Sequence, residues 1–439
     1  VDTDVIVVGA GAAGIAAARA LAETSARVIV LEARDRTRGR VLSRALASLE
    51  VPVELGAEFI HGDAPETSSY LREAGLAKVE TGDESWACDE NGTLAPSDDD
   101  FTSVDLFERV ESLEDDESVE TFVRRFDDDP HLRDEARRAR AFVEGFEAAD
   151  PALASARAIA EELRSGTDDT ASRPIGSYAP LFDSLERRCA QAGVDMRLGT
   201  VVERIAWTRG EVTIETRDAN GERATLVARC AIVTVSVGVL RNGTGGISFV
   251  PPLPDEKQIA LRGIEMGHAV RVALAFRTPF WERSSGGRYR DAAFFRCETG
   301  AFDAFWTQMP LRGRAIVAWA GGPRATALER LSAAERVALA LDTFGDLFAE
   351  RDLARRAFEA GETFDWSRDP FARGAYSYVV TGAGNARAAL GTPLDGTLFF
   401  AGEATATDGQ CGTVSGAFGT GVRAANDVTR ALAIATGHP

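Results

Sequence analysis

The sequence predicts an α/β protein in which a dinucleotide-binding domain is interleaved with a second, α+β domain. Three observations lead there. Residues 4–34, DVIVVGAGAAGIAAARALAETSARVIVLEAR, read as an apolar strand, a glycine turn, an alanine-rich helix and a second strand ending in an acid, the order of a Rossmann-like βαβ unit. Strand patterns then give way to a charged helical stretch and return, the last time within the final 45 residues, so no single boundary separates two halves. At 439 residues the chain also exceeds one ordinary core and can bury a large cofactor.

In the glycine turn, Gly9, Gly11 and Gly14 have GxGxxG spacing, which suits a tight turn, backbone approach to a pyrophosphate and close helix–strand packing. Glu32 falls 18 residues after Gly14, where a carboxylate can accept hydrogen bonds from ribose hydroxyls. Residues 98–170 are charged, alanine-rich and helical in period, with DEARRARAFVEGF (134–146) an amphipathic example. Residues 173–194 read as a loop and a helix. Strands return as MRLGTVVERIAW, EVTIETRD and ARCAIVTVSV, with ANGE (219–222) as a hairpin turn. PPLP (251–254) breaks the pattern before the strands AVRVALAF (269–276) and RAIVAWAG (314–321) and a helix near 332–349. GTLFFAGEAT then runs from strand into loop, and a glycine-punctuated helix follows over 412–435.

The formal net charge of −19 is not spread evenly. Between Glu80 and Thr170 there are 28 acidic residues against nine arginines and no lysine, while the remainder balances at 40 against 40. Such a segment forms solvated faces of surface helices or a negative field that draws cations toward a cleft. The same sign disfavours nucleic acid. Cys88, Cys189, Cys230, Cys297 and Cys411 include no CxxC pair, which argues against both a metal site and a disulfide framework, so a reducing, cytoplasmic setting is expected. No apolar run approaches the ~20 uncharged residues that span a bilayer. The first strand pattern starts at Asp4, which leaves no room for a signal peptide, although the missing initiator Met keeps a removed leader open.

Several stretches, in order, carry a resemblance that runs nearly end to end: LEARDRTRGRV (31–41), ELGAEFIHG (54–62), IVTVSVGVL (232–240), FVPPLPDEK (249–257), RVALAFRTPFW (271–281), ARGAYSYVVTG (372–382) and LFFAGEATATDGQCGTVSGA (398–417). The chain resembles the flavin amine oxidases, a family of monoamine and polyamine oxidases, some L-amino-acid oxidases and flavin histone demethylases. The resemblance implies FAD, an FAD-binding domain over 1–80, 190–248 and 390–439, and a substrate domain over 81–189 and 249–389.

By the same resemblance, Gly9, Gly11, Gly14 and Glu32 match pyrophosphate and ribose positions, and Arg34, Gly39 and Arg40 match an arginine-rich turn. Arg38 stands where that turn usually has a second glycine. Gly56 and Ala57 are expected against the isoalloxazine, where a larger side chain would hold the ring off, and Glu58 follows them. Val202 matches an adenine contact, Gly402 and Glu403 the ribitol and phosphates, and Thr413, Val414 and Ala417 a helix start at the pyrimidine edge. A helix N-terminus there favours the electron density that the ring gains on reduction.

The implied chemistry is hydride transfer from the amine α-carbon to flavin N5, hydrolysis of the imine, and reoxidation by dioxygen to give peroxide. Tyr376, with Trp366 nearby, is expected to frame the amine. Ala375 replaces the cysteine that attaches FAD in some relatives, so the cofactor is expected to be noncovalent. Arg271 replaces a common lysine, which predicts slower or altered oxygen reactivity because arginine does not readily lose a proton. His61 matches a pocket histidine, expected to orient an amine nitrogen or a water; taken alone, a histidine in an apolar stretch is more often structural. The motif version and the acidic segment together point to a cationic substrate, a di- or polyamine. Alternatives are an FAD dehydrogenase or desaturase, an L-amino-acid oxidase, or a flavin-binding protein with little turnover. The oligomeric state is not legible.

Overall fold

The computed structural model describes the chain apart from residue 48 and residues 89–91, 98–104, 165–170, 242–244, 298–299 and 437–439; the acidic run 98–100 lies outside the described residues. In the first strand, Thr3–Val8, every side chain except Asp4 is buried, as in a strand covered on both faces. It lies parallel to Val28–Leu31, with Val5 opposite Val28, and to Arg223–Val233, with Val5 opposite Cys230. Asp195–Arg197 extends the sheet beyond Val28–Leu31. Leu398–Phe400 joins the far half of Arg223–Val233 in parallel, with Ile232 opposite Phe399. The near half pairs antiparallel with Glu211–Arg217, and Val201–Thr208 and Ser248–Val250 follow. The expected hairpin turn forms, closed by Gly221 N–H donating to the Asp218 carbonyl at 3.1 Å.

Two helices, Ala12–Ala22 and Val414–Thr436, cover one face of this sheet and meet closely: a Cβ on Gly421 would lie 2.2 Å from the Ala13 carbonyl oxygen. Ile15, Ala18, Leu21, Phe399, Phe418 and Val428 fill the core between them. Helix Ala179–Gln191, expected on the substrate side of a boundary at 189–190, packs Leu181, Phe182, Leu185 and Cys189 into this same core. On the opposite face Ala260, Leu261, Ile264, Ala386 and Leu390 join Val8, Val233 and Phe400, so packing around the first sheet also crosses the expected limits at 248 and 390.

The second sheet runs Phe358–Asp365, Ala269–Phe276, Ala315–Gly321, Ala304–Trp306, Phe294–Arg296, Ser85–Cys88, Leu94–Pro96. Its strand Ala269–Phe276 is buried throughout, against a core rich in aromatic rings that includes Phe276, Trp281, Phe295, Phe305 and Phe344. The acidic stretch forms helices Val119–Arg124, Arg133–Gly145 and Ala156–Arg164 around Phe107, Phe122, Phe142, Val143 and Ile159. Residues Ala171–Pro174 form the middle strand of a three-stranded sheet with Ile60–His61 and Lys78–Glu80, where the sequence predicts a loop beginning at residue 173. Four residues show no period, and their partners lie some 90 to 110 positions away.

Among the described residues no helix is long and apolar enough to cross a membrane, and no group of three or more His, Cys, Asp or Glu is placed to hold a metal. Among the described residues no disulfide joins any of the five cysteines.

Candidate active site

A cavity of about 1030 Å³ lies between the two sheets, with Gly9, Gly11, Glu32 and Val202 toward one end and His61, Phe146, Glu147, Trp306 and Tyr376 toward the other. That is the upper end of ligand-site volumes and suits a large cofactor together with a small substrate. Every site residue expected from the sequence lines it except Gly14. A Cβ on Gly14 would fall 1.9 Å from the Gly9 carbonyl oxygen, so this glycine serves helix–strand contact.

At the nucleotide end, helix Ala12–Ala22 starts at Gly11 without a side-chain cap, and its first residues, Ala12 and Ala13, line the cavity. Uncapped N–H groups at a helix start are suited to an anion such as a pyrophosphate. Glu32 accepts from Ala10 N–H at 2.8 Å and from Arg34 N–H at 2.9 Å; each oxygen retains a lone pair for a ribose hydroxyl. Arg34 is fixed by Asp369 at 2.5 Å.

Arg38, where a glycine was expected, has φ 81°. Its N–H donates to the Ala10 carbonyl at 2.8 Å, and its guanidinium pairs with Asp183 and, at 3.6 Å, with Glu186. The ion pairs hold a conformation that a side chain rarely adopts. Gly39 lies against Gly11, where an added Cβ would sit 3.2 Å from the Gly11 Cα.

Toward the middle, Arg40 Nη1 donates to Glu403 Oε1 and to the Ala375 carbonyl, both at 2.8 Å. Glu403 also accepts from Ser377 Oγ at 2.7 Å and Gly412 N–H at 3.2 Å. Burial alone would raise this carboxyl, but Arg40 and Arg387 outweigh it and hold it below the usual range. Gly402 (φ 129°), Thr413, Val414 and Ala417 complete this wall.

Gly56 and Ala57 line the next stretch, but the reason for Gly56 differs from the expectation. A Cβ there would lie 1.9 Å from the Arg40 carbonyl oxygen, so the adjoining backbone rather than the cavity requires glycine. Arg271 is buried, bonds the Gly56 carbonyl and pairs with Glu58. Glu58 also takes Arg173 at 3.1 Å and the Trp306 indole N–H at 3.1 Å.

At the far end, the Tyr376 hydroxyl donates to the Phe146 carbonyl. Burial, followed by Glu147, Asp303 and Glu403, pushes its pKa well up, so the phenol keeps its proton. The His61 ring meets Phe146 edge-on at 5.3 Å. Burial pushes its pKa down to about 4, so it is neutral at neutral pH. Trp366 gives its N–H to the Leu55 carbonyl at 2.8 Å and packs on Phe364 at 4.5 Å. It lines the cavity along with Leu55, Gly56, Ala57 and Tyr376.

Sequence reasoning missed Glu147, Glu162, Arg173, Phe146 and Trp306. Glu147 lines the cavity with a carboxyl that has no hydrogen-bonding partner among the described residues; burial first, then Glu162, raises it to about 8 despite Arg387. Glu162 pairs with Arg387 at 3.1 Å. The only signal for these two was their place in the acidic segment.

Comparison with known proteins gives a match of residues 12–429 to the family model described as flavin containing amine oxidoreductase. Polyamine oxidase 2 of Arabidopsis thaliana is 30% identical over 96% of this chain and 87% of its own. Lysine-specific histone demethylase 1B of Mus musculus is 27% identical over 97% of this chain and 53% of its own. In fold, the chain is similar to a putrescine oxidase solved with putrescine bound (TM-score 0.80, 23% identity, 98% and 99% coverage). It is equally similar to cyclohexylamine oxidase from Brevibacterium oxydans IH-35A (TM-score 0.80, 22% identity, complete coverage of both chains).

Proposed function

The chain belongs to the flavin-containing amine oxidoreductase family, and from that premise we propose that it oxidises a di- or polyamine, with dioxygen as the electron acceptor. FAD, when bound, supplies the two-electron acceptor for oxidation of the C–N bond. The uncapped helix start at Gly11, the Glu32 carboxylate and the Arg40–Glu403 pair suit its phosphates and sugars. Ala375 offers no nucleophile for covalent attachment.

The observation that carries the substrate reading is the Glu147 carboxyl, directed to the cavity without a hydrogen-bonding partner beside Tyr376 and His61. A second ammonium supplies the missing partner. Its charge also opposes the burial that keeps Glu147 protonated, so binding ionises the acid and strengthens the pair. Tyr376, tethered to the Phe146 carbonyl, presents a ring in a fixed position. Neutral His61 can accept from an amine N–H or orient a water without adding a positive charge beside the substrate. The names of the relatives support the same class: polyamine oxidase and putrescine oxidase.

The test is anaerobic mixing of the yellow holoprotein with putrescine, spermidine, tyramine, phenylethylamine and amino acids, followed by admission of air. Bleaching by the di- or polyamines and peroxide release on reoxidation are expected. Bleaching by amino acids alone would overturn the substrate class, and bleaching without peroxide would overturn oxygen as acceptor.

A further inference from the structure

Glu58 is held from three sides by groups from three separate strands. Arg271, on Ala269–Phe276, pairs with its Oε2; Arg173, on Ala171–Pro174, approaches Oε1 at 3.1 Å; the Trp306 N–H, from Ala304–Trp306, reaches Oε2 at 3.1 Å. All four side chains are more than nine-tenths buried or at that limit, Glu58 being 9% exposed and Arg271 4%. Two guanidinium groups therefore share one carboxylate. Burial pushes both arginines down to about 10, which leaves them charged at neutral pH. Each also stacks on a ring: Arg271 over Trp306 at 5.0 Å, and Arg173 over Phe59 at 5.1 Å. Among the described residues Nε of Arg173 and both Nε and Nη2 of Arg271 make no hydrogen bond, so Arg271 meets Glu58 as an ion pair and is anchored by hydrogen bonding only at the Gly56 carbonyl. Behind them, Glu54 is occupied by Ser43 at 2.9 Å and by Tyr178 N–H at 2.8 Å.

Only part of this cluster reaches the cavity: Arg271, Glu58 and Trp306 line it, and Arg173 stands behind them. Arg271 is the member that touches the Gly56 carbonyl. A buried charge at this wall acts on any change of charge within the cavity through a medium of low effective dielectric. The electrons that the cofactor accepts are such a change.

We propose that Glu58 and Arg173 are positioning residues which, through Arg271, set how readily the bound flavin accepts electrons. Arg173 favours acceptance and Glu58 opposes it. This rests on FAD occupying the cavity. Glu58 has a second effect, since its pairing holds Arg271 against the Gly56 carbonyl and away from the far end.

The experiment uses the purified holoprotein and two readouts: the two-electron midpoint potential, and the dissociation constant of sulfite, which adds through sulfur to the oxidised ring and leaves negative charge on it. Glu58→Gln removes a negative charge and should tighten sulfite about tenfold, with a rise of about 30 mV for the same factor in a two-electron equilibrium. Arg173→Met should move both quantities by a similar factor in the opposite direction, and Arg173→Lys should return them to the wild-type values. Opposite shifts from two partners of one ion pair are not produced by loosened packing. Should Glu58→Gln fail to retain flavin, the Arg173→Met and Arg173→Lys pair decides alone. Shifts in the same direction, or all within twofold of wild type in proteins that keep the yellow spectrum, would overturn the proposal. A wild-type protein that binds no flavin would overturn the cofactor reading as well.

Discussion

At the scale of single residues, Glu147 and His61 share one end of the cavity with opposite electrostatic consequences. Glu147→Gln should raise KM for a diamine about tenfold, the factor for about 1.4 kcal/mol, and leave a monoamine nearly unchanged; steady-state kinetics on matched chain lengths check this. The same substitution should alter stability. The carboxyl is raised from 4.5 to about 8 in the folded protein, so between those values the folded state holds a proton that the unfolded state has released. Stability therefore falls as pH rises through that window, and Glu147→Gln should flatten the fall in a series of thermal melts. His61 is displaced the other way, from 6.5 to about 4, so the unfolded state binds the extra proton. Its contribution to stability is present above pH 6.5 and lost as pH falls toward 4. His61→Gln should consequently remove no titration near pH 6.5 from the kcat/KM profile.

Among elements, the region around the PPLP break depends on one buried lysine, whose pKa burial and Arg423 push down to about 7. Lys257, from helix Asp255–Arg262, donates to the carbonyls of Ala389 at 2.7 Å and Leu390 at 2.6 Å and to that of Thr392, and sits over the Phe400 ring at 4.6 Å. These are the end of helix Ala386–Gly391 and the residue after it. Lys257→Met should cost about 2–4 kcal/mol in denaturant unfolding, because the carbonyls stay buried without their donor. Arg38→Gly should change stability by less than about 1 kcal/mol, since relief at φ 81° offsets the loss of the Asp183 pair. These two elements show where the sequence was legible. The N-terminal strand, turn and helix could be read because their rules are local: an apolar run, glycine spacing and an acid in register. Lys257 could be counted as one of two lysines, but its partners lie more than 130 positions away. Arg173 was hidden for the same reason, in a four-residue strand defined only by remote pairing. Gly56 was recognised as special for the wrong neighbour, because a sequence does not show which side of a glycine is crowded.

For the whole molecule, the concentration of negative charge in one segment resolves into two populations. Glu117, Glu120 and Asp127 are spent in ion pairs with Arg125, Arg124 and Arg140 on the helical surface. Glu80, Asp83, Glu147 and Glu162 instead reach the cavity wall, so the solvated-face and cation-attracting readings apply to different residues. Raising ionic strength from about 0.01 to about 0.15 M shortens the screening length from about 30 to about 8 Å. KM for a triamine should rise several-fold over that range while KM for a monoamine changes little, as initial rates in a salt series would measure.

The interleaving also fixes an order of events in time. The cavity wall includes Val8 and Ala417, and the strand Leu398–Phe400 enters the sheet beside residues 231–233 rather than at its end. At about 5–20 residues per second of synthesis, those late segments leave the ribosome on the order of 20 to 80 s after the glycine turn. The earliest-made part of the site must wait for the latest, so cofactor capture follows synthesis of residues 398–417, and ribosome-bound chains halted before residue 398 should retain no flavin.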